Sequence, residues 1–396
     1  MGIEYRVPTE AEWPAMMRAD ARAFGWVPTP ELIEQRRPSV DLDRFRIAVD
    51  AGQIIGVAGA FAFDITVPGG AAVPASGVTW VSVTATHRRR GVLTELMRLL
   101  DQQADERGEP VAVLFASEGG IYRRFGYGIA TMMRWIEIER ANAILRPDLP
   151  VDRDAVRYVE GDAARDHLAS TWERYRRTRA GEISRDAVWH DQVHEMREKP
   201  TDGMSATFHL AHRDGYAAYR IRERWSGRPE NRLELIEMVP VTEQAHLDLW
   251  ATVFGVDLVG TIASKNLPSD EALPWLLTDV RPFGTTQLRD GMWAKVIDPA
   301  VVFGARTYGS DDRLVVEVDG VRWVIEHSAG EASCRRVRTR PDLVTDAASF
   351  GALLFGGTRA STLAAGRTLT ARDGATLARA DAFFVTGRAP HCSTWF

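Results

Sequence analysis

Three arginines followed by a glycine stand between a strand-like and a helix-like segment of the chain. The stretch reads VSVTATHRRRGVL at residues 81–93, with Arg88, Arg89 and Arg90 ahead of Gly91. A helix start exposes unpaired backbone N–H groups and the positive end of the helix dipole, so added arginines destabilise it unless an anion is bound. Glycine allows the backbone to approach such an anion closely. The turn therefore predicts a phosphate or pyrophosphate site, and a solvated basic turn is the alternative.

The apolar residues on each side of this turn indicate the elements that must position it. Residues 78–83 are β-branched and aromatic, as in a strand. The apolar residues after the turn repeat at helical spacing: Val92, Leu93, Leu96, Met97 and Leu100. Residues 111–117 are apolar almost throughout and should form a central strand buried on both faces. Strand, turn, helix and strand make a crossover unit, and its turn is where a ligand is expected.

The turn lacks the patterns of two common phosphate sites, GxxxxGK[ST] and GxGxxG. It resembles instead the pyrophosphate motif of the GNAT acetyltransferase superfamily, R/Q-x-x-G-x-G/A, which here reads Arg88-x-x-Gly91-x-Leu93. Leu93 departs from that motif, which has a small residue at this position. Together with ASEGGIYRRFGYG at 116–128, the stretch is similar to the Eis family of multi-domain GNAT N-acetyltransferases. HRDGYAAYRI, LLTDVR, RDGMWAKVID, RASTLAAGR and the terminal Phe396 extend the resemblance along the chain.

The resemblance implies an α/β (α+β) fold with tandem GNAT domains, each a mixed central sheet flanked by helices, and a C-terminal α+β domain similar to sterol carrier proteins. Segments 141–154 and 278–291 contain prolines or glycines that break regular structure. They divide the chain into a catalytic GNAT domain at 1–145, a central GNAT-like domain at 146–288 and the C-terminal domain at 289–396. The turn after LELIEMVP has no arginine run and no glycine, so the central domain lacks the cofactor motif.

Acetyl-CoA is the cosubstrate that the resemblance implies. The cofactor-binding residues carried over by position are Val81, Ser82 and Val83 along a splayed strand, Arg89, Arg90, Gly91, Val92, Leu93 and Thr94 around the pyrophosphate, and Ser117 and Glu118 at the end of the neighbouring strand. Arg88 and His87 are expected at the rim, where His87 is a loop residue rather than a catalyst.

Acetyl transfer to an amine needs three things: a proton acceptor for the amine, hydrogen-bond donors for the thioester oxygen and a proton donor for the departing thiolate. Backbone N–H groups of Val81 to Val83 suit the second role. The family pattern gives the third role to Tyr122, whose hydroxyl, with an unperturbed pKa of about 10, is protonated at neutral pH. The residues alone do not separate Tyr122 from Tyr127, and either could be a core tyrosine.

The family pattern gives the first role to the C-terminal carboxylate of Phe396. The chain closes on STWF, and burial of its two aromatic side chains would hold an end that otherwise frays. An α-carboxylate has an unperturbed pKa of roughly 3.5, and an apolar setting raises it toward that of a usable base. The alternative is that Phe396 only packs.

The expected acceptor is a primary amine of a small molecule, aminoglycoside-like or amphipathic, or a lysine side chain. Family members that modify aminoglycosides tend to have acidic residues around the acceptor pocket, whereas this chain has Trp26 and Trp395 there. Trp13 and Trp80 could add to an aromatic lining. Such a lining suits an amphipathic amine, or a cation held over a ring, better than a highly charged sugar.

Charge, hydropathy and histidine spacing bear on nucleic-acid, membrane and metal binding. A net charge of -5 argues against a general nucleic-acid binder, and no membrane-spanning run or secretory signal is present, so a cytoplasmic protein is expected. His190 and His194 share a metal-site spacing but lack the partner residues, so no metal is expected.

The family implies a ring-like homo-oligomer, often hexameric. The rival function is a non-catalytic carrier for CoA or lipid with a vestigial GNAT domain, which the arginine-glycine turn, Tyr122 and Phe396 disfavour.

Overall fold

The computed structural model describes residues 2–190, 203–227 and 230–396. These residues form two compact units. One contains the described residues up to Ala130 together with Met292–Val385 and Trp395–Phe396, and the other contains those of Thr131–Gly291 and Thr386–Thr394.

The strands of the described residues are β1 (Glu4–Arg6), β2 (Phe45–Asp50), β3 (Gln53–Thr66), β4 (Ala72–Val83), β5 (Val111–Phe115), β6 (Gly128–Ile129), β7 (Met132–Glu139), β8 (Val156–Val159), β9 (Phe208–His212), β10 (Gly215–Arg222), β11 (Asn231–Pro240), β12 (Val259–Pro268), β13 (Gly284–Asp290), β14 (Met292–Val296), β15 (Asp312–Val318), β16 (Val321–Ser328), β17 (Glu331–Arg336), β18 (Leu343–Thr345) and β19 (Leu369–Ala371). The α-helices are α1 (Trp13–Ala23), α2 (Pro30–Arg36), α3 (Val92–Glu106), α4 (Gly119–Tyr122), α5 (Gly161–Arg176), α6 (Glu243–Phe254), α7 (Leu273–Leu276), α8 (Pro299–Ala305), α9 (Ala347–Leu353), α10 (Ala360–Ala365) and α11 (Gly374–Phe384).

The first unit contains a mixed sheet in the order β1-β2-β3-β4-β5-β14-β6. The predicted strand, turn, helix and strand are confirmed as β4, α3 and the parallel neighbour β5. Val92, Leu96, Met97 and Leu100 of α3 are buried against the sheet as their spacing predicts. Leu93 is only partly buried, because it turns toward a cavity described below.

Strand β14 extends this sheet from a distant part of the chain. It runs antiparallel to β5, with Met292 opposite Phe115, and also pairs with β6. The sequence assigned residues 289–396 to the C-terminal domain, whereas β14 hydrogen-bonds into the first sheet. The paired residues are 177 to 185 positions apart, and a local sequence pattern does not show which distant strand a given strand will pair with.

The second unit holds a sheet in the order β13-β7-β12-β11-β10-β9-β8. The sequence FHLAHRDGYAAYRI predicts a hairpin that turns at Asp214 and Gly215. Strands β9 and β10 form this hairpin, but its turn residues are Arg213 and Asp214, since Gly215 already pairs with His212. Thr242, a residue type favoured at helix N-termini, caps α6, and its side chain accepts the N–H of Ala245.

The C-terminal part of the first unit has a five-stranded sheet in the order β17-β16-β15-β18-β19. Its first hairpin turns at Asp319 and Gly320, a pair that favours such turns, and both residues have positive φ, 47° and 86°, as a tight two-residue turn requires. Within the described residues, no helix is long and apolar enough to cross a membrane.

Candidate active site

A cavity of about 1010 Å³ lies in the first unit at the start of α3. Eleven of the thirteen predicted site residues line it: Val81, Ser82, Val83, Arg89, Gly91, Val92, Leu93, Thr94, Ser117, Glu118 and Tyr122. Arg90 is exposed and is not among the lining residues, nor is Phe396. His87 and Arg88 do line the cavity, as their expected rim position implies.

The cavity follows a fork between two strands. β4 pairs with β5 only from Ala75 to Gly77, and β4 then continues to Val83 along β3 while β5 continues along β14. Beyond Gly77 the β4 edge that faced β5 therefore leads into open space. The backbone groups of Val81 to Val83 lie on this part of the strand, where a ligand can take the place of a neighbouring strand.

A bulge in β4 turns the strand just before the cavity. Thr79 lies opposite Gly59 and Ser82 opposite Val57, so two residues of β4 face one of β3. Trp80, in the bulge, has φ of 53°, a left-handed conformation that costs roughly 1–3 kcal/mol for a residue with a side chain. Its ring stacks on Trp13, with ring centroids 5.6 Å apart. This packing holds the bulge and so fixes the direction of Val81 to Val83.

The turn between β4 and α3 has the geometry of an anion-binding loop. Arg89 and Gly91 have φ of 63° and 82°. Gly91 is the N-cap of α3 and supplies no side-chain cap, and the first helical bond is that of the Glu95 N–H to the Gly91 oxygen, at 3.1 Å. The N–H groups of Val92, Leu93 and Thr94 thus precede the helical bonding pattern at the cavity wall. Such a combination of left-handed turn and helix start binds anions.

His87 lies in this turn with both ring nitrogens in contact with polar groups. Nε2 lies 3.1 Å from Asp50 Oδ2, and Nδ1 lies 2.9 Å from the Thr86 hydroxyl. These contacts fix the ring as part of the loop that leads to Arg88.

Tyr122 and Tyr127 occupy different surroundings. Tyr122 lines the cavity from α4 and is 7% exposed, and burial first, then the Glu118 carboxylate, raises the pKa of its hydroxyl. Tyr127 is fully buried, packs edge-on against Tyr122, and its hydroxyl has no hydrogen-bond partner within the described residues. The cavity therefore distinguishes the two tyrosines, which the residues alone did not.

Phe396 lies at the fork of β4 and β5. Its ring is 5.1 Å from that of Phe63 and 5.3 Å from that of Phe115, and a side chain added at Gly77 would meet it at 3.3 Å. Trp395 stacks on Phe115 at 4.3 Å between ring centroids. The two terminal aromatic residues thus pack where the strands separate, while the first unit's cavity is lined by other residues.

The expected aromatic lining is corrected in part. Trp13 is 3% exposed in the core under α1, and its indole N–H donates to the Ile33 oxygen at 3.0 Å, so it does not face the cavity. Trp26 and Trp395 are 42% and 56% exposed. Phe24, at the end of α1, is an aromatic residue that does line the cavity.

A buried carboxylate that was not among the predicted site residues lies near the cavity. Asp20 on α1 is 7% exposed, and burial raises its pKa to about 6, against a smaller opposing effect of a hydrogen bond from Ser82. The signal was present in the sequence, because Asp20 follows the apolar Met16 by four positions and so shares its helix face.

No cluster of metal ligands occurs in the part of the chain that the structure describes. His190 is partly buried, and burial lowers its pKa to about 4. His194, its predicted neighbour, lies outside the described residues.

Comparisons with known proteins agree with this architecture. Family models of the GNAT acetyltransferase domain match residues 4–130 and 181–296, and a model of the sterol carrier protein domain matches residues 301–393. N-acetyltransferase Eis of Mycobacterium tuberculosis is 34% identical over 392 residues, 96% of each chain. An uncharacterized N-acetyltransferase of Streptomyces coelicolor is 36% identical over 98% of each chain.

Solved structures show the same fold over the whole chain. The crystal structure of Eis1 from Mycobacterium abscessus has a TM-score of 0.89 at 31% identity and covers 100% of both chains. A GCN5-related N-acetyltransferase from Anabaena variabilis, at 16% identity and a TM-score of 0.83, shows the fold alone. Two GNAT domains and a sterol-carrier-like domain are therefore present, and the chain belongs to the Eis family of GNAT N-acetyltransferases.

Proposed function

We propose that this N-acetyltransferase moves the acetyl group of acetyl-CoA to a primary amine of an amphipathic small molecule. One observation carries the proposal: a single cavity joins the open edge of β4, the uncapped start of α3 and the hydroxyl-bearing Tyr122. These are the parts needed to hold a thioester beside a diphosphate and to protonate a leaving thiolate.

The diphosphate binds at the start of α3. The N–H groups of Val92, Leu93 and Thr94 supply hydrogen-bond donors, and Arg88 and Arg89 supply positive charge at the cavity wall. A Cβ at Gly91 would meet no protein atom within 4 Å, so glycine is needed there for its positive φ and for an open approach to the backbone. Leu93, in place of the small residue of the general GNAT motif, fits because its side chain has room along the cavity.

The acetyl-pantetheine arm lies along β4 beyond the fork. Backbone N–H groups of Val81 to Val83 polarise the thioester oxygen as negative charge develops on it. Ser117 and Glu118, at the end of β5, form the opposite side of the opening.

Tyr122 protonates the sulfur. Its raised pKa keeps the hydroxyl protonated at neutral pH, so the proton is available when negative charge develops on the departing sulfur. The amine arrives protonated, loses one proton to a base and attacks the thioester carbon. As the carbon–sulfur bond breaks, Tyr122 gives its proton to sulfur and recovers one from the acylated nitrogen, so that protons balance.

The C-terminal carboxylate of Phe396 is the base in this scheme. The aromatic contacts of Phe396 with Phe63 and Phe115 anchor the chain end beside the fork. Anchoring limits fraying of the chain end and so keeps the carboxylate in one place.

An amphipathic acceptor agrees with the residues at the α1 end of the cavity. Phe24 lines it, and Trp26 follows two positions later with its ring partly exposed. Aromatic rings bind aryl-alkyl groups and attract ammonium ions over their faces.

Thiol release from acetyl-CoA, followed with a chromogenic thiol reagent, tests the proposal. Aryl-alkyl amines, a lysine peptide and aminoglycosides are supplied in parallel, and we expect amine-dependent release with the highest kcat/KM for the aryl-alkyl amines. Equal or greater turnover of aminoglycosides would contradict the acceptor class. Coenzyme A binding without thiol release for any amine would favour the carrier function instead.

A homo-oligomer, ring-like and hexameric, belongs to the same proposal and is supported by the family resemblance. Light scattering coupled to size-exclusion chromatography measures it, and a monomer at micromolar concentration would contradict it.

A further inference from the structure

A buried carboxylate stands behind the cavity wall without a charged partner. Asp20 is 7% exposed, and its Oδ1 has no hydrogen-bond partner among the residues that the structure describes. The same set of residues contains no ion pair to this side chain. An unpaired buried carboxylate lowers stability, so an electrostatic role that offsets this cost is expected.

Asp20 lies between two parts of the cavity wall. Ala23, the last residue of α1, and Phe24, its C-cap, line the cavity three and four positions after Asp20 and so lie on the same side of the helix. Ser82 lines it from β4 and hydrogen-bonds to the Asp20 carboxylate with its side chain. Because α1 packs on β3 and β4, the carboxylate sits where the helix end meets the strand that carries the proposed acetyl site.

The charged groups around α1 leave the Asp20 charge uncompensated. β4 has no titratable side chain, and β3 has Asp64, which is exposed. In the turn before α1, Glu10 and Glu12 are paired with Arg37 and Arg6. The pKa of Asp20 is shifted by burial and by Ser82, and by no charged group.

We infer that Asp20 and Ser82 form a subsite for the ammonium group of the acceptor. The Ser82 hydroxyl donates its hydrogen to the Asp20 carboxylate. The lone pairs of the Ser82 oxygen are therefore available to accept an N–H of an ammonium ion in the cavity. The Asp20 charge behind it strengthens that hydrogen bond, since charge acts over a longer range where water is excluded. Ser82 contacts the acceptor, and Asp20 is a positioning residue.

This subsite rests on the proposed function and makes it more specific. The acceptor is an alkylamine that binds as a cation, with its apolar part toward Phe24. Binding of this cation does not require an acidic residue on the cavity surface of α1, because the buried Asp20 supplies the negative charge. Neutral molecules of the same shape bind without help from Asp20.

Calorimetric binding of 2-phenylethylammonium to the full chain saturated with coenzyme A tests the inference without turnover. We expect Asp20→Asn to weaken binding by about tenfold or more, because it removes the negative charge behind the Ser82 hydroxyl. Ser82→Ala should act in the same direction. Binding of 2-phenylethanol, which has no charge, should be the same in Asp20→Asn and wild type.

Ser76→Ala is the matched control. Ser76 also lies on β4, is fully buried, and its hydroxyl has no partner within the described residues, yet it does not line the cavity. This variant should bind 2-phenylethylammonium like the wild type, which separates the subsite from a general effect of losing a buried hydroxyl on the strand.

The pH dependence gives a second readout. Wild-type affinity for the ammonium ion should fall as pH decreases from about 8 to about 5, because Asp20 becomes neutral, and the Asp20→Asn affinity should stay flat. Equal affinity of wild type and Asp20→Asn at pH 8, or no binding of the ammonium ion by wild type, overturns the inference. Thiol release with amines that survives Asp20→Asn unchanged overturns it too but leaves the proposed function intact, whereas no thiol release by wild type defeats the proposed function itself.

Discussion

Tyr122 and Tyr127 show how surroundings decide which of two neighbouring residues can act. Both are buried, and their rings touch edge to face. Only Tyr122 is among the residues that line the cavity, where its hydroxyl can meet a ligand. Sequence spacing could not choose between them, because the choice depends on the direction of α4 relative to β6.

Replacing Tyr122 with Phe should lower kcat by about a hundredfold or more, the usual contribution of a positioned proton donor. Tyr127→Phe is the control, because it removes a buried hydroxyl that lacks a partner within the described residues and should leave kcat near the wild-type value. Steady-state thiol release measures both variants. Equal losses in the two, or none in Tyr122→Phe, would contradict the assignment of the acid.

Asp20 should also affect stability, with a sign that follows from its pKa. Burial raises that pKa from 3.8 to about 6, so the folded chain binds more protons than the unfolded chain in this interval. The contribution of Asp20 to stability therefore falls as pH rises from about 4 to about 6, by roughly 3 kcal/mol. The Asp20→Asn variant has no ionisable group at this position, so it should not lose this stability as pH rises.

Unfolding temperatures of wild type and Asp20→Asn, measured between about pH 4 and about pH 8, check this expectation. The variant should gain stability over wild type as pH rises through the interval and should be the more stable protein at the upper end. A wild type that is the more stable protein near pH 8 would show that Asp20 has a stabilising partner when charged.

At the scale of elements, close backbone contacts join α9 to the first sheet. A Cβ at Gly128 of β6 would lie 1.8 Å from the Ala348 oxygen, and one at Gly351 of α9 would lie 2.2 Å from the Ala294 oxygen. Neither distance is possible without a backbone shift. The two glycines therefore allow a helix of the sterol-carrier-like domain to lie directly on β6 and β14, near the turn that follows Tyr122.

Gly351→Ala should destabilise the protein by about 2 kcal/mol or more, since overpacking against backbone outweighs the higher helix propensity of alanine. Gly304→Ala in α8 is the matched control, because its Cβ would meet no atom within 4 Å. That variant should gain up to about 1 kcal/mol. Denaturant unfolding compares the two, and a stabilised Gly351→Ala would contradict the close contact.

Local patterns predicted the central part of the site but not its surroundings. The β-branched and apolar residues of β4 and β5 and the helical repeat of α3 are local signals, so the turn with Arg89 and Gly91 could be located from sequence. The pairing of β14 with β5, the bulge at Trp80 and the approach of Asp20 to Ser82 depend on partners far away in the chain. Propensity carries no information about such partners, and these are the features that the structure adds.

At the scale of the whole molecule, the two ends of the C-terminal tail belong to different units. Thr386–Thr394 is part of the second unit, where the Glu182 carboxylate accepts the Ser393 N–H at 2.9 Å and the Asn266 amide donates to the Ser393 oxygen at 2.9 Å. Trp395 and Phe396 are part of the first unit. These hydrogen bonds hold the backbone at Ser393 in place, three residues before Phe396.

Adding a short tag after Phe396 should lower kcat about a hundredfold or more, because it moves away the carboxylate that we propose as the base. The same tag ahead of the exposed Gly2 is the control and should change kcat little. Thiol release with the best amine of the panel measures both. A C-terminally tagged protein with full activity would rule out the carboxylate as the base.

The central claim is that the start of α3 holds the diphosphate of coenzyme A. A crystal structure with coenzyme A tests it most directly. We expect diphosphate oxygens within about 3 Å of the N–H groups of Val92, Leu93 and Thr94, with the pantetheine arm along Val81 to Val83. A diphosphate bound elsewhere, with this turn in contact with solvent alone, would contradict the claim.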